Sequence, residues 1–322
     1  MNTKDKLLKL LLNSSDYISG EALAKIMGVS RNAIWKAVKD LAESGIKIDS
    51  KPNKGYKLEG FIPFVNKMAI EEYLSDDFYK IIVFDTLDST STYLKAKNGE
   101  YDEATVVFAR EQTSGKGRLD RKFYSPKDAG LYFSILVRPK IAINQSIYLT
   151  VLSAVSVYEA ILEELNIDLG IKWVNDLYLN GKKVCGILAE GAINIDYSNL
   201  DYCVIGIGIN IFHPQNGLDN EIKDIATYIL DKPYDLNKIA SCILKKFKIH
   251  YLEFLNGDYN FVNTYINHQM LIGKTVEVCN LYNEEKYKAL VIKVNSDCSL
   301  CVEKDGELIN INSGEVRLSL NI

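Results

Sequence analysis

Histidine is scarce in this 322-residue chain, with three in all, and none stands in an HExxH or other metal-ligand spacing, so a zinc enzyme is not expected. No Ser-His-Asp or Cys-His set is visible either, which leaves covalent catalysis by a relayed nucleophile without a carrier. No apolar run approaches the ~18 residues that a membrane span needs. The first residues, MNTKDKLLKLLLNSSDYISG, set Leu at helical spacing among lysines and lack both a long apolar stretch and a small-residue cleavage site. No signal peptide is expected, and a cytoplasmic location is the default. The six cysteines (Cys185, Cys203, Cys242, Cys279, Cys298, Cys301) suit reduced thiols. Only Cys298 and Cys301 form a CxxC, in DCSLC; its surroundings alternate like a strand, so structural thiols are expected. Gly115-Lys116 lacks the GxxxxGK[ST] spacing, and Gly206-x-Gly208 lacks the third glycine and following helix of a dinucleotide fingerprint.

What is present points to a globular chain of two or three domains, 47% hydrophobic and 25% charged. Residues 1–60 hold eleven Lys/Arg against seven Asp/Glu, a net +4 in a chain of net −4, so residues 61–322 carry −8. A basic end on an acidic chain suits contact with a polyanion. Within that end, SGEALAKIMGVSRNAIWKAVKDLAESG (19–45) reads as two helices joined by a tight turn. Ser19 and Ser30 stand at the caps, Ala24 faces inward, Gly28 lets the chain reverse, and Ile34, Ala37, Val38 and Leu41 recur at helical spacing. GIKIDSKPNKGYKLEG then alternates about a PNKG turn as a hairpin. Helix-turn-helix plus hairpin predicts a winged helix that binds DNA. Arg31, Asn32, Trp35, Lys36 and Lys39 fall on the exposed side of the recognition helix, with Lys51 and Lys54 on the wing.

After GFIPFVN (60–66), strands are expected at 79–87, 104–111, 130–139 and 201–212, and the longest helical pattern at 145–165. Asn180-Gly181 marks a hairpin. Short hairpins mixed with helices favour a largely antiparallel mixed sheet over a doubly wound parallel one. Polar groups gather at strand ends: Asp88, Ser89 and Thr90 where a strand meets a helix, and Lys172, Asn175, Asp176 and Lys183 around one hairpin. Lys183, on an alternating strand, needs a carboxylate or phosphate if it points inward. Gly206 and Gly208 permit close approach, with Asn210 beside them. The loop EQTSGKGRLDRKF (111–123) packs Lys116, Arg118, Arg121 and Lys122 into seven residues. Each like pair at ~8 Å in water costs only ~0.5 kcal/mol, which an anion would more than offset. Cations and amides with one carboxylate suit stabilisation of charge on an anionic substrate and a phosphate.

The combination resembles the biotin protein ligases. GKGRLDRKF is similar to their GRGRxGRxW loop, and KWVNDLYLNGKKVCGIL (172–188) to their KWPNDxx…KxxGIL segment. DSTS and GIGIN are similar to their other active-site stretches. The winged helix in front matches the bifunctional bacterial form, ligase and biotin operon repressor in one chain. The resemblance implies an α+β multidomain chain. A winged helix-turn-helix (1–62) precedes a mixed-sheet α/β catalytic domain like class II aminoacyl-tRNA synthetases (63–270) and a small SH3-like β-barrel (271–322). It also implies activation of biotin by ATP with Mg²⁺ to biotinyl-5′-AMP, and transfer to a lysine of a biotin carboxyl carrier protein. Operator DNA and a homodimer formed by the adenylate-bound chain are the further expected partners, with no membrane.

By the same resemblance, Ser89, Thr90, Ser91, Gln112, Lys116, Gly117, Arg118, Lys183 and Gly186 would hold biotin. Gly115, Lys116, Arg118, Arg121, Asn175, Lys183 and Asn210 would meet ATP and the adenylate, the 115–123 loop ordering as an anion clamp. Lys183, Arg118 and Asp176 would be catalytic, Asp176 steering or deprotonating the incoming lysine. Four positions depart from the pattern: Lys116 for Arg, Asp120 for Gly, Phe123 for Trp and Val174 for Pro. These imply changes in affinity or rate. The alternatives are a lipoate-type carboxylate ligase and a biotin-sensing repressor without ligase activity.

Overall fold

The computed structural model describes residues 2–194, 199–214, 217–218, 222–279, 286–312 and 315–318. Local signals build the N-terminal unit. Helix α1 (Thr3–Leu12) buries Leu7, Leu8 and Leu11. In α2 (Gly20–Met27) the Ser19 hydroxyl accepts the Ala22 N–H, and the helix stops at Gly28, whose φ of 65° is left-handed. Ser30 caps α3 (Arg31–Glu43) in the same way, and Ile34, Ala37 and Leu41 turn inward. Strands β1 (Ile48–Lys51) and β2 (Gly55–Leu58) pair antiparallel as the wing. The winged helix is as expected: Leu23 fills its centre, and the half-buried Ala24 and Val38 pack against the same core.

The central unit runs α4 (Lys67–Leu74), β3 (Lys80–Leu87), α5 (Thr90–Ala96), β4 (Thr105–Gln112), β5 (Gly130–Val137), α6 (Ile147–Leu165), β6 (Gly170–Lys172), β7 (Asp176–Leu179), β8 (Lys182–Asn194), β9 (Asn199–Asn210), α7 (Leu236–Leu255) and α8 (Phe261–Asn267). Its seven strands lie in the order β3-β4-β5-β9-β8-β7-β6, with β3 and β4 parallel and the other neighbours antiparallel. The expected mixed sheet is thus present. Alternation divides its faces: Ile205, Ile207 and Ile209 join the core under α6 and α7, while Val204 on the opposite face packs with Leu94 of α5. Two sequence expectations change. Among the described residues the longest helix is α7, at 20 residues against 19 for α6. The helical stretch Ile143–Leu165 is also long and apolar enough by length and composition to cross a membrane, although 61% of its 18-residue apolar window is buried inside the protein.

Strands β10 (Thr275–Cys279), β11 (Lys286–Val294), β12 (Leu300–Lys304), β13 (Glu307–Ile311) and β14 (Glu315–Leu318) form an antiparallel sheet in the order β13-β12-β11-β10-β14. Val276, Val278, Val291 and Val302 carry the central core into it. Cys298 lies in the turn between β11 and β12 with φ 65°, not in a strand, and only Cys301 is on β12. Trp173 Nε1–H donates to the Cys298 carbonyl at 2.8 Å. Burial pushes the Cys298 thiol up to about 12, which suits a structural thiol rather than a reactive one.

Candidate active site

Glycines hollow out the open face of the sheet. Gly186 on β8 is the register partner of Gly208 on β9, and Gly206 lies between Leu188 and Ser134. A Cβ on Gly206 would stand 2.4 Å from Ser91 Oγ, and one on Gly208 2.5 Å from the Phe123 ring. Side chains therefore rest where a larger residue would fill the space, and a cavity of about 520 Å³ opens over the floor.

One end of the cavity is lined with hydroxyls. Ser89, Thr90 and Ser91 start α5, where Ser89 caps the helix by accepting the Thr92 N–H at 3.4 Å. All three are buried against the cavity wall. Gln112, at the end of β4, receives the Thr90 N–H at 2.9 Å on Oε1 and donates from Nε2 to Ser125 Oγ at 2.9 Å.

The loop after β4 folds across this end as a tight excursion. Phe123 N–H donates to the Gly115 carbonyl at 2.9 Å, and Gly117 N–H to the Arg121 carbonyl at 2.7 Å. Lys116, Gly117, Arg118 and Arg121 all reach the wall. Gly115 does not. It is buried behind the wall, where a Cβ would meet the Phe123 carbonyl at 2.4 Å and Ser125 Oγ at 2.8 Å. The absence of a Cβ there lets the loop stems close. The side chain of Asp120 lies outside the described residues.

The other end is the β7–β8 hairpin. Asn180 and Gly181 take φ of 51° and 79°, the paired left-handed turn that an Asn-Gly sequence favours. This brings Lys183 Nζ to 2.6 Å from Asp176 Oδ1, an ion pair whose angles fall outside hydrogen-bond geometry. The carboxylate expected beside an inward lysine is therefore Asp176. Arg118 Nη1 donates to Asn175 Oδ1 at 3.4 Å, tying loop to hairpin, while Asn175 Nδ2 donates to the Ile187 carbonyl at 2.7 Å. Burial and the nearby Asp176 push Tyr178 up to about 12, so it stays a neutral wall residue. The Trp173–Val174 peptide, where the resembling motif has proline, is cis. Asn210 also lines the cavity and donates to the Thr227 carbonyl at 3.3 Å.

Sequence reasoning missed part of the wall. Ile222, Ile225 and Ala226 close it because Lys183 N–H donates to the Ile225 carbonyl and Thr227 N–H to that of Lys183, both at 2.9 Å. Val316 enters from β14. No motif marks these apolar residues, and their place follows only from long-range pairing. Of the residues expected on the outer side of the recognition helix, Arg31, Asn32, Lys36 and Lys39 are exposed, and Trp35 is 60% exposed. Lys54 projects from the wing tip, whereas the Lys51 ammonium leans on the Tyr17 ring at 4.9 Å and on Asp49 at 3.5 Å.

Residues 83–210 match the family model of the biotin/lipoate A/B protein ligases, and residues 3–57 match that of an HTH domain. Over 244 residues the chain is 32% identical to the bifunctional ligase/repressor BirA of Bacillus subtilis, spanning 73% of this chain and 74% of that protein. The chain belongs to the biotin/lipoate A/B protein ligase family. Within the ligase family it is also 36% identical over 211 residues to the bifunctional ligase/repressor BirA of Escherichia coli, 64% of this chain and 63% of that one. Among solved ligases, the biotin protein ligase from Aquifex aeolicus in complex with biotin and ATP superposes with a TM-score of 0.65 at 29% identity, covering 75% of this chain and all of that one.

Proposed function

We propose that this chain activates biotin with ATP and transfers it to a lysine of a carrier protein, and that its winged helix represses transcription in response to biotin. The observation that carries the reading is one cavity with hydroxyls and an amide at one end, Lys183 and Asp176 at the other, and Arg118 tying the loop over the first end to the hairpin at the second. A carboxylic acid held by its polar ring would lay its carboxylate among the cations. That carboxylate oxygen attacks the α-phosphorus of ATP, the bond to the bridging oxygen breaks, and pyrophosphate leaves. The ε-amine of the carrier lysine then attacks the acyl carbon of the mixed anhydride. AMP departs with the C–O electron pair, and the amine loses a proton.

Lys183 and Arg118 would stabilise charge growing on the α-phosphate, with Lys116, Gly117 and Arg121 closing over it as the loop orders on the adenylate. Ser89, Thr90, Ser91 and Gln112 would hold the ring, Gly186 would give it room, and Asn175 and Asn210 would face the nucleotide. Mg²⁺ would travel on the triphosphate. Among the described residues no group of three His, Cys, Asp or Glu could hold it, and Asp176 is the carboxylate in the cavity wall. The three units 1–62, 63–270 and 271–322 would work together in the cytoplasm. Neither alternative is favoured: the cations that adenylation needs are present, which a decayed sensor would not require.

The deciding experiment is biotin-dependent exchange of labelled pyrophosphate into ATP, with lipoate as the parallel acid. Exchange with biotin alone is expected, and exchange only with lipoate would overturn the substrate. Asp176→Asn is expected to slow transfer from preformed adenylate at least tenfold more than it slows exchange, because a neutral amide cannot take the amine proton. Equal losses in both half-reactions would reject that role. The adenylate-bound chain is expected to form a homodimer on paired operator half-sites, read by Arg31, Asn32, Trp35, Lys36 and Lys39 with Lys51 and Lys54 on phosphates. Sedimentation with biotin plus ATP should show a larger dimer fraction, and an unchanged monomer would count against this.

A further inference from the structure

Ser134 lies on β5 beneath the cavity floor, fully buried and outside the cavity wall. Its Oγ is 2.7 Å from Thr90 Oγ1 and 2.9 Å from Ser91 Oγ. A hydroxyl owns one proton, so counting protons fixes the direction of each contact. The Thr90 backbone N–H can only donate, so the Gln112 atom 2.9 Å from it is the carbonyl Oε1. Nε2 then faces Ser125 Oγ at 2.9 Å, and the Ser125 proton goes on to the Phe123 carbonyl at 3.1 Å. Thr90 Oγ1 is 3.1 Å from the same Oε1, an atom without a proton, so Thr90 donates there. Thr90 must therefore accept from Ser134, and Ser134 in turn accepts from Ser91. The relay runs one way, from Ser91 through Ser134 and Thr90 to Gln112.

This direction decides what the cavity offers. Ser91 has committed its proton to Ser134 below the floor and Thr90 has committed its own to Gln112, so both can present only lone pairs, while Gln112 keeps a second Nε2 proton as a donor. Acceptors beside a donor complement a cyclic urea, whose N–H groups flank a carbonyl. A dithiolane ring would leave the set unpaired in a buried site, which is strongly disfavoured. We infer that Ser134 is a positioning residue that sets this polarity by drawing the Ser91 proton out of the cavity and fixing the Thr90 hydroxyl, and so helps select a cyclic urea. The assignment rests on the biotin reading above. Without the Ser134 hydroxyl, the Ser91 proton is free to turn into the cavity and meet a ligand N–H donor to donor.

Pyrophosphate exchange by Ser134→Ala tests it. The biotin KM is expected to rise about tenfold, about 1.4 kcal/mol, with kcat and the ATP KM within about twofold of the unaltered chain. A general loosening of the core would move both KM values or kcat, and that result would overturn the assignment. Should Ser134→Ala fail to fold by circular dichroism, Ser134→Cys, with its weaker donor, carries the test. A raised biotin KM at constant ATP KM supports the role, and an unchanged biotin KM removes it. Absence of exchange in the unaltered chain would overturn the ligase reading and this inference with it. Exchange there with a normal biotin KM in the variant would overturn this inference alone.

Discussion

Lys183→Met is expected to slow biotin-dependent pyrophosphate exchange about 10²- to 10³-fold while biotin binding stays within about threefold. Methionine keeps the apolar stem of lysine and removes the ammonium with its charge and donors. The ammonium is held for its task by Asp176, 2.6 Å away, on a hairpin whose turn and backbone pairing with residues 225–227 fix its place. In a cavity partly closed from water, a fixed cation opposite a growing phosphate charge is worth about 3–4 kcal/mol of barrier. Exchange kinetics and equilibrium biotin binding separate the two roles open to the residue. A fall of less than tenfold in exchange, with transfer failing instead, would mean that Lys183 serves mainly to hold Asp176. The double variant with Asp176→Asn should then cost little more than either single change, because contacting residues do not add.

How far the sequence could be read followed how local each determinant is. Ser19, Gly28 and Ser30 each act within four residues of themselves, and the winged helix was legible for that reason. The Asn180-Gly181 turn and the alternation of 201–212 are equally short-range, so the hairpin carrying Lys183 and the glycine floor were both foreseen. The packing role of Gly115 was not legible, because its neighbour across the loop, Phe123, is visible only once the loop closes. Cys298 looked like part of a strand because the strand pattern around it continues, whereas the chain turns at a left-handed residue there. Val316, Ile225 and Ser134 escaped entirely: each is a common residue with no spacing signal, brought to the cavity by partners from far along the chain. Sequence marks the cations and glycines of this site well, and the groups that hold them poorly.

A single buried side chain clamps the segment 60–66 that joins the winged helix to the ligase unit. Asn237, at the start of α7 and fully buried, accepts the Asn66 N–H at 2.7 Å and donates to the carbonyls of Phe64 at 3.1 Å and Ile62 at 3.4 Å. Beside it the Phe64 ring lies 4.1 Å from the Arg110 guanidinium, which Asp128 and Asp85 hold at 2.6 Å and 2.9 Å. Arg110 shares β4 with Gln112, so the segment leaving the DNA-binding unit rests on the strand that enters the loop. Asn237→Leu fills the same volume but leaves an amide N–H and two carbonyls buried without partners. The expected loss is about 3 kcal/mol in urea unfolding, and protease cleavage within 60–66 should become faster. Exchange with biotin should keep its KM, since no cavity residue is touched. Biotin-dependent DNA binding should weaken at least fivefold, because a loosened junction transmits less of the coupling between sites. If stability falls as expected and DNA binding still responds to biotin in full, the coupling does not run through this clamp.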